Sequence, residues 1–166
     1  MAITFDASRK IFKLDTPSTS YAFAVHEAGY LFHLYYGAYL PDDNLLSMLD
    51  RGMFSSFCPD FPHYVATGVS PDVTPSEYSV AGTGDFRVSA LQIRNKNGDV
   101  STDIRYVSHR ILEKKPALCG MPALRDENGD SETLEMTTRD AATGAVVKLY
   151  YTVYQDMPVM TRSVVV

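Results

Sequence analysis

The sequence has no tryptophan, two cysteines, four histidines, and fifteen lysines and arginines against twenty acidic residues in a length of 166. Each shortage excludes something. Cys58 and Cys119 are too few for a disulfide framework and match no metal-ligand spacing, so two reduced thiols are expected. A net charge of −5 with so few cations lacks the basic surface of a nucleic-acid or anionic-membrane binder. No apolar run reaches the roughly 18 residues that a membrane-spanning helix needs. The opening "MAITFDASRK" has neither a long apolar core nor a small-residue cleavage site, which argues against secretion and leaves the cytoplasm as the expected compartment. Helical periodicity is scarce as well.

What is present is alternation. Tyr21, Phe23 and Val25 alternate with Ala22, Ala24 and His26, and "YLFHLYYG" places Tyr30, Phe32, Leu34 and Tyr36 on one face, so the two runs around "EAG" predict a hairpin. "RVSALQIR" and "DVSTDIRYVSHRI" flank "NKNGD", whose Asn97-Gly98 pair supplies the positive φ angles of a tight turn and predicts a second hairpin. "ETLEMTTR" and "AVVKLYYTVYQD" around "DAATG" predict a third, with Val147, Leu149, Tyr151 and Val153 on one face. "AITF", "KIFKLDT" and "VMTRSVVV" add shorter strands.

One short helix is expected over "DDNLLSMLDRG", residues 42–52, capped by Asp42 or Asp43 and carrying an apolar stripe of Leu45, Leu46 and Leu49. Residues 53–80 contain four prolines and no sustained period, which marks a long loop. Many antiparallel strands without strand-helix alternation predict an all-β sandwich with one short helix, and 166 residues suit one domain spanning 1–166.

Candidate chemistry is thin. "GTGDF" is followed by an alternating strand pattern, not by the helix a phosphate cradle requires, so it is expected as a turn. His26, His33, His63 and His109 show no pair at ligand spacing, and His33 is expected to be structural; no metal site is expected. There is no Gly-x-Ser-x-Gly elbow, and neither cysteine has an activating context. Glu132 and Glu135 fall on opposite strand faces and cannot act on one bond; both are expected to be solvated. The 11 tyrosines and 8 phenylalanines could supply a sugar-stacking platform, although their alternation favours core packing. These patterns support a soluble β-sandwich without an active site of its own.

Several segments, in order, extend that reading. "ITFDASRKIFKLDTPSTSYAFAV", "GYLFHLYYG", "EYSVAGTGDFR", "DIRYVSHRI", "KPALCGMPAL" and "TRSVVV" resemble the corresponding strands and segments of the N-terminal domain of family 36 glycoside hydrolases, the bacterial-type α-galactosidases. Tyr36 stands where the family's "LYWG" has tryptophan, and "FSSFCPDFP" where it has "FSPNP".

The resemblance implies a galactose-mutarotase-like β-supersandwich that precedes a (β/α)8 barrel. That barrel carries the aspartate nucleophile and acid/base of a retaining mechanism, and it is absent from these residues, so no catalytic residue and no hydrolase activity are expected in the chain alone. The parent enzyme would remove terminal α-galactose from melibiose, raffinose and related substrates without a cofactor. Its partners would be that barrel and neighbouring subunits of a homo-oligomer, a tetramer in the family. By the same resemblance "LDRGMFSSFCPDFP" places Asp50, with Arg51 beside it, at a neighbouring subunit's substrate pocket, where a carboxylate can accept hydrogen bonds from adjacent sugar hydroxyls. A helix end or a surface ion pair at Asp50 and Arg51 is the alternative. A stand-alone carbohydrate-binding module and a purely structural interaction domain are the alternatives for the chain.

Overall fold

In the computed structural model, which describes residues 2–41, 44–49, 69–84 and 87–166, the chain folds into two four-stranded antiparallel sheets. Strands β1 (Ile3–Asp6), β2 (Ile11–Asp15), β3 (Thr19–Val25) and β4 (Leu31–Ala38) form the first sheet in sequence order. Strands β5 (Ile104–Leu112), β6 (Ser131–Asp140), β7 (Val146–Tyr154) and β8 (Met160–Val165) form the second in the same way. Within each sheet a strand thus pairs with its neighbour in the chain, through a short reversal everywhere except between β5 and β6, which residues 113–130 connect.

The alternation decides what lies between the sheets. Val147, Leu149, Tyr151 and Val153 all point inward and are essentially buried, as the sequence pattern predicts. They pack with Leu134 and Met136 of β6 and with Phe12, Leu14, Tyr21 and Phe23 of the first sheet in one continuous core. Phe12, Phe23 and Tyr151 bring aromatic rings of both sheets into contact, with centroids 5.2 Å apart for Phe12–Phe23 and 5.2 Å for Phe23–Tyr151. Burying rings of this size is the main apolar contribution to joining the layers.

The outer face of the first sheet is also apolar. Ile11, Ala22, Ala24 and Leu34 pack with Leu45, and Tyr30 and Phe32 pack with Val69. This face is covered by the segments on either side of residues 50–68.

A bulge in β4 sorts its side chains between the two faces. Phe23 pairs with His33 and Ala22 with Tyr35, so Leu34 is the extra residue. A single inserted residue reverses facing beyond it. Tyr30, Phe32 and Leu34 accordingly lie outward, while Tyr36 comes round to the inner face opposite Tyr21. The common face expected for these four residues therefore breaks at Tyr36.

Two expected elements take other forms. The helix over 42–52 reduces, among the described residues, to one 3-10 turn at Leu46–Met48. Leu45 makes no side-chain cap, Leu49 is already extended, and Leu46 is exposed, so only Leu45 of the stripe is fully buried. Without a stripe to bury, a short helix has little to stabilise it. Residues 87–94 do not form the expected strand beside β5. Arg87 donates to the carbonyls of Pro71 and Thr74, and Leu91 makes only an isolated bridge to Val80. Val88 is 95% exposed, so its alternation has no core to face. The Asn97-Gly98 turn itself is formed, with Gly98 at φ 91° and its N–H donated to the Asn95 carbonyl.

"GTGDF" is a turn as far as its described residues reach. Gly82, at φ 133°, lies so close to Ser101 and Thr102 that an added Cβ would sit 2.6 Å from the Thr102 nitrogen. Backbone cannot step aside as a flexible side-chain tip can, so Gly82→Ala combines a steric clash with an unfavourable φ. We expect Gly82→Ala to destabilise the fold by about 2–4 kcal/mol and Gly98→Ala, which has open space around it, by about 1 kcal/mol in chemical denaturation. Equal losses would show that φ alone, not the approach of Thr102, fixes glycine at position 82.

Candidate functional site

Among the described residues, a dense polar cluster lies between the sheets and centres on Glu77. Pro75 to Glu77 run beside the outer edge of β4: the His33 N–H donates to the Pro75 carbonyl and the Glu77 N–H to the Leu31 carbonyl, each at 2.9 Å. This short pairing aims the Glu77 side chain into the interior, where it is 1% exposed.

A buried carboxylate must have its lone pairs filled. Tyr21 of β3 donates its hydroxyl at 2.6 and 2.7 Å to the two oxygens. Tyr151 of β7 donates at 2.9 Å to Oε1. Arg162 of β8 places Nη2 2.8 Å from Oε1 and also donates to the Glu77 carbonyl at 3.1 Å. His33 of β4 brings Nδ1 to 3.3 Å from Oε2. One carboxylate therefore ties both sheets to the 69–80 segment.

Electrostatics keep the two tyrosines and the arginine in their donating forms. Burial, reinforced by the Glu77 charge, raises the Tyr21 and Tyr151 hydroxyls far above the ordinary tyrosine range. Burial works against the Arg162 charge, but Glu77, Tyr151 and Tyr21 together offset it and hold the guanidinium above its ordinary value. Such a carboxylate is committed to the fold. Retaining glycoside hydrolysis needs two carboxyls about 5–5.5 Å apart across a substrate bond, and this cluster holds only one.

A second clamp joins the layers at the β3–β4 turn. The Arg105 guanidinium stacks 3.8 Å from the centre of the Tyr30 ring, donates to the Ala28 carbonyl at 2.7 Å, and is gripped by both oxygens of Asp103 at 2.7 Å. Tyr106 N–H adds a bond to the Gly29 carbonyl. Arginine suits this place because its planar fork can stack and donate at once.

The expected site residues fall into separate groups. Asp50 and Arg51 lie outside the described residues, as do Cys58 and His63. Leu49, immediately before Asp50, packs with Val69 on the Tyr30–Phe32 cluster, so the described flanks of residues 50–68 meet on the outer face of β4. His33 is structural, as expected, and Cys119 is a free, exposed thiol. Among the described residues no group of three His, Cys, Asp or Glu side chains is arranged to hold a metal ion, and no helix is long and apolar enough to cross a membrane.

Glu132 and Glu135 do occupy opposite faces, but neither is simply solvated. Glu132 accepts the Ile3 N–H at 2.8 Å, fixing β1 to the second sheet. Glu135 is buried on the outer face, bidentate with Arg110 at 2.9 and 2.7 Å and 3.5 Å from Lys148. Cross-strand neighbours of opposite charge can hold an acid down on a sheet surface, which alternation alone does not reveal.

Arg162→Met leaves the Glu77 charge buried without its cation, and Glu77→Gln leaves Arg162 without its anion. Each should destabilise by about 2–4 kcal/mol, with the double variant losing less than the sum, in denaturant unfolding. Full additivity would mean that the two side chains act separately. The Arg110 hydrogen bonds hold the Glu135 carboxyl below the ordinary glutamate value. Its contribution is therefore complete above about pH 4.3 and lost as pH falls towards the lower folded-state value. Glu135→Gln should flatten that acid limb, whereas an unchanged pH profile would remove the Arg110 pair as its cause.

The model of the glycosyl hydrolase family 36 N-terminal domain matches residues 29–166. The bifunctional alpha-galactosidase/sucrose kinase AgaSK of Mediterraneibacter gnavus is 37% identical over 166 residues, covering 99% of this chain and 17% of the relative. Alpha-galactosidase AgaA of Geobacillus stearothermophilus is 36% identical, covering 98% of this chain and 22% of the relative. The crystal structure of alpha-galactosidase AgaB from the same organism superposes with a TM-score of 0.87 at 36% identity, over 99% of this chain and 22% of that one. The chain thus spans about a fifth of the length of the relatives it matches. "GYLFHLYYG", "EYSV" and "TRSVVV" converge on Glu77, and "GYL" meets "DIRY" at Arg105. The chain belongs to the glycosyl hydrolase family 36 N-terminal domain.

Proposed function

We propose that these residues form the non-catalytic N-terminal domain of a retaining α-galactosidase, acting in subunit assembly and in shaping a neighbouring subunit's substrate pocket. The catalytic carboxylates would lie on a (β/α)8 barrel outside these 166 residues, and the substrates would be terminal α-galactosides such as melibiose and raffinose. The supporting observation is the commitment of Glu77: both oxygens are filled by Tyr21, Tyr151, Arg162 and His33, so this buried acid serves to hold a frame and not to cleave a bond. Relatives that carry comparable residues over about a fifth of their length are α-galactosidases, which supports the reading of the parent reaction.

Asp50 and Arg51 would reach the neighbouring pocket. The seating of Leu49 with Val69 against Phe32 supports this role, because it fixes the base from which the segment departs. A positioned carboxylate contributes to sugar binding only when its origin is held.

A chromogenic α-galactoside assay tests the proposal. The 166-residue chain should show no turnover, while the product of the complete reading frame containing it should be active. In that product Asp50→Ala should raise KM about tenfold with little change in kcat, as expected for lost charge-assisted hydrogen bonds to bound substrate. Turnover by the chain alone would overturn the non-catalytic reading, and unchanged kinetics would remove Asp50 from the pocket.

A further inference from the structure

Beside the inner face of β4, three partly exposed side chains surround a single buried ring. Tyr21 is buried, yet its cross-strand neighbour Tyr36 is 63% exposed, with ring centroids 5.7 Å apart and planes inclined at 59°. The His33 ring lies 5.0 Å from the Tyr21 ring, and the Arg162 guanidinium carbon 6.0 Å from it. The His33 and Arg162 side chains retain 31% and 42% of their exposure.

An exposed tyrosine by itself carries no information, since single surface apolar residues are normal. The difference here is preorganisation. Glu77 engages His33 through Nδ1 and Arg162 through Nη2, so both polar groups are held by a buried anchor while part of each remains open to solvent. The bulge turns the Tyr36 ring inward, beside the Tyr21 ring that both groups flank. A flat aromatic face next to two fixed hydrogen-bonding groups is the pattern that binds a ligand with one apolar face and a rim of hydroxyls.

Charge narrows the ligand. The Arg162 guanidinium already faces the Glu77 carboxylate at 2.8 Å, and the chain is net negative, so this surface offers little unbalanced positive potential to an anion. We propose that Tyr36, His33 and Arg162 form a binding site for one neutral pyranose unit, with the sugar's C–H face on Tyr36 and its hydroxyls towards His33 and Arg162. The site belongs to this chain alone and does not depend on the α-galactosidase reading.

The test is a titration of the isotopically labelled 166-residue chain with galactose, glucose and raffinose, read by NMR, with galacturonate as the charged comparison. Saturable shifts centred on Tyr36, His33 and Arg162, with millimolar affinity, are expected. Tyr36→Ala should weaken binding about tenfold, Tyr36→Trp should retain it, and Tyr39→Ala, which alters another exposed tyrosine, should leave it unchanged. If Tyr36→Ala does not fold, the location of the shifts in the unaltered chain and the retention by Tyr36→Trp decide the matter. No saturable shift below about 100 mM, shifts located elsewhere, or binding of galacturonate without the neutral sugars would overturn the proposal.

Discussion

The fold depends on a carboxylate that has been taken out of water. Burying an anion between two sheets is unfavourable by several kcal/mol unless its charge and lone pairs are met. At Glu77 they are met from four strands at once: Tyr21 and His33 in the first sheet, Tyr151 and Arg162 in the second. Glu77 rides on the edge of β4, so its contacts with Tyr151 and Arg162 are the ones that cross to the second sheet. Apolar burial supplies most of the attraction between the layers, but it is tolerant of sliding. The hydrogen bonds to Glu77 are not, and they fix which residues of β3 and β4 face which residues of β7 and β8. The same residue, through its backbone, closes part of the β4 edge.

That anchor has consequences towards both ends of the sandwich. On the outer side of β4, Phe32 collects Leu49 and Val69, the flanks of the segment that includes Asp50 and Arg51. On the inner side, the bulge and Glu77 together set Tyr36, His33 and Arg162 around Tyr21. A rigid sheet that positions variable segments is a common division of labour between scaffold and site. Arg105, stacked on Tyr30 and held by Asp103, secures the β3–β4 turn against β5 in the same way.

Much of the architecture is legible in the sequence because alternation is a direct record of which face is buried. Val147 to Val153 show it most clearly, since β7 is central in its sheet and these alternate side chains all enter the core. The pattern misleads where something other than a core decides. Residues 87–94 alternate like a strand, but Arg87 ties them to Pro71 and Thr74. Alternation puts Tyr36 on one face with Phe32, but one inserted residue at Leu34 reverses it. Glu135 alternates as a solvent-facing acid, but Arg110 and Lys148 close over it. The Glu77 cluster is not legible in the sequence, because its members lie up to 141 positions apart and become partners only through the fold. The available signal was that "HLYYG", "EYSV" and "TRSV" all belong to the family resemblance while none carries recognisable chemistry.

Native-state hydrogen exchange on the 166-residue chain measures the coupling between layers most directly, because it reports the opening free energy of each strand separately. If Glu77 joins the sheets into one cooperative unit, amides in β3, β4, β7 and β8 will share a common opening free energy, and Glu77→Gln will split it into two. Distinct opening energies for the two sheets in the unaltered chain would show that the layers open independently and that the carboxylate does not couple them.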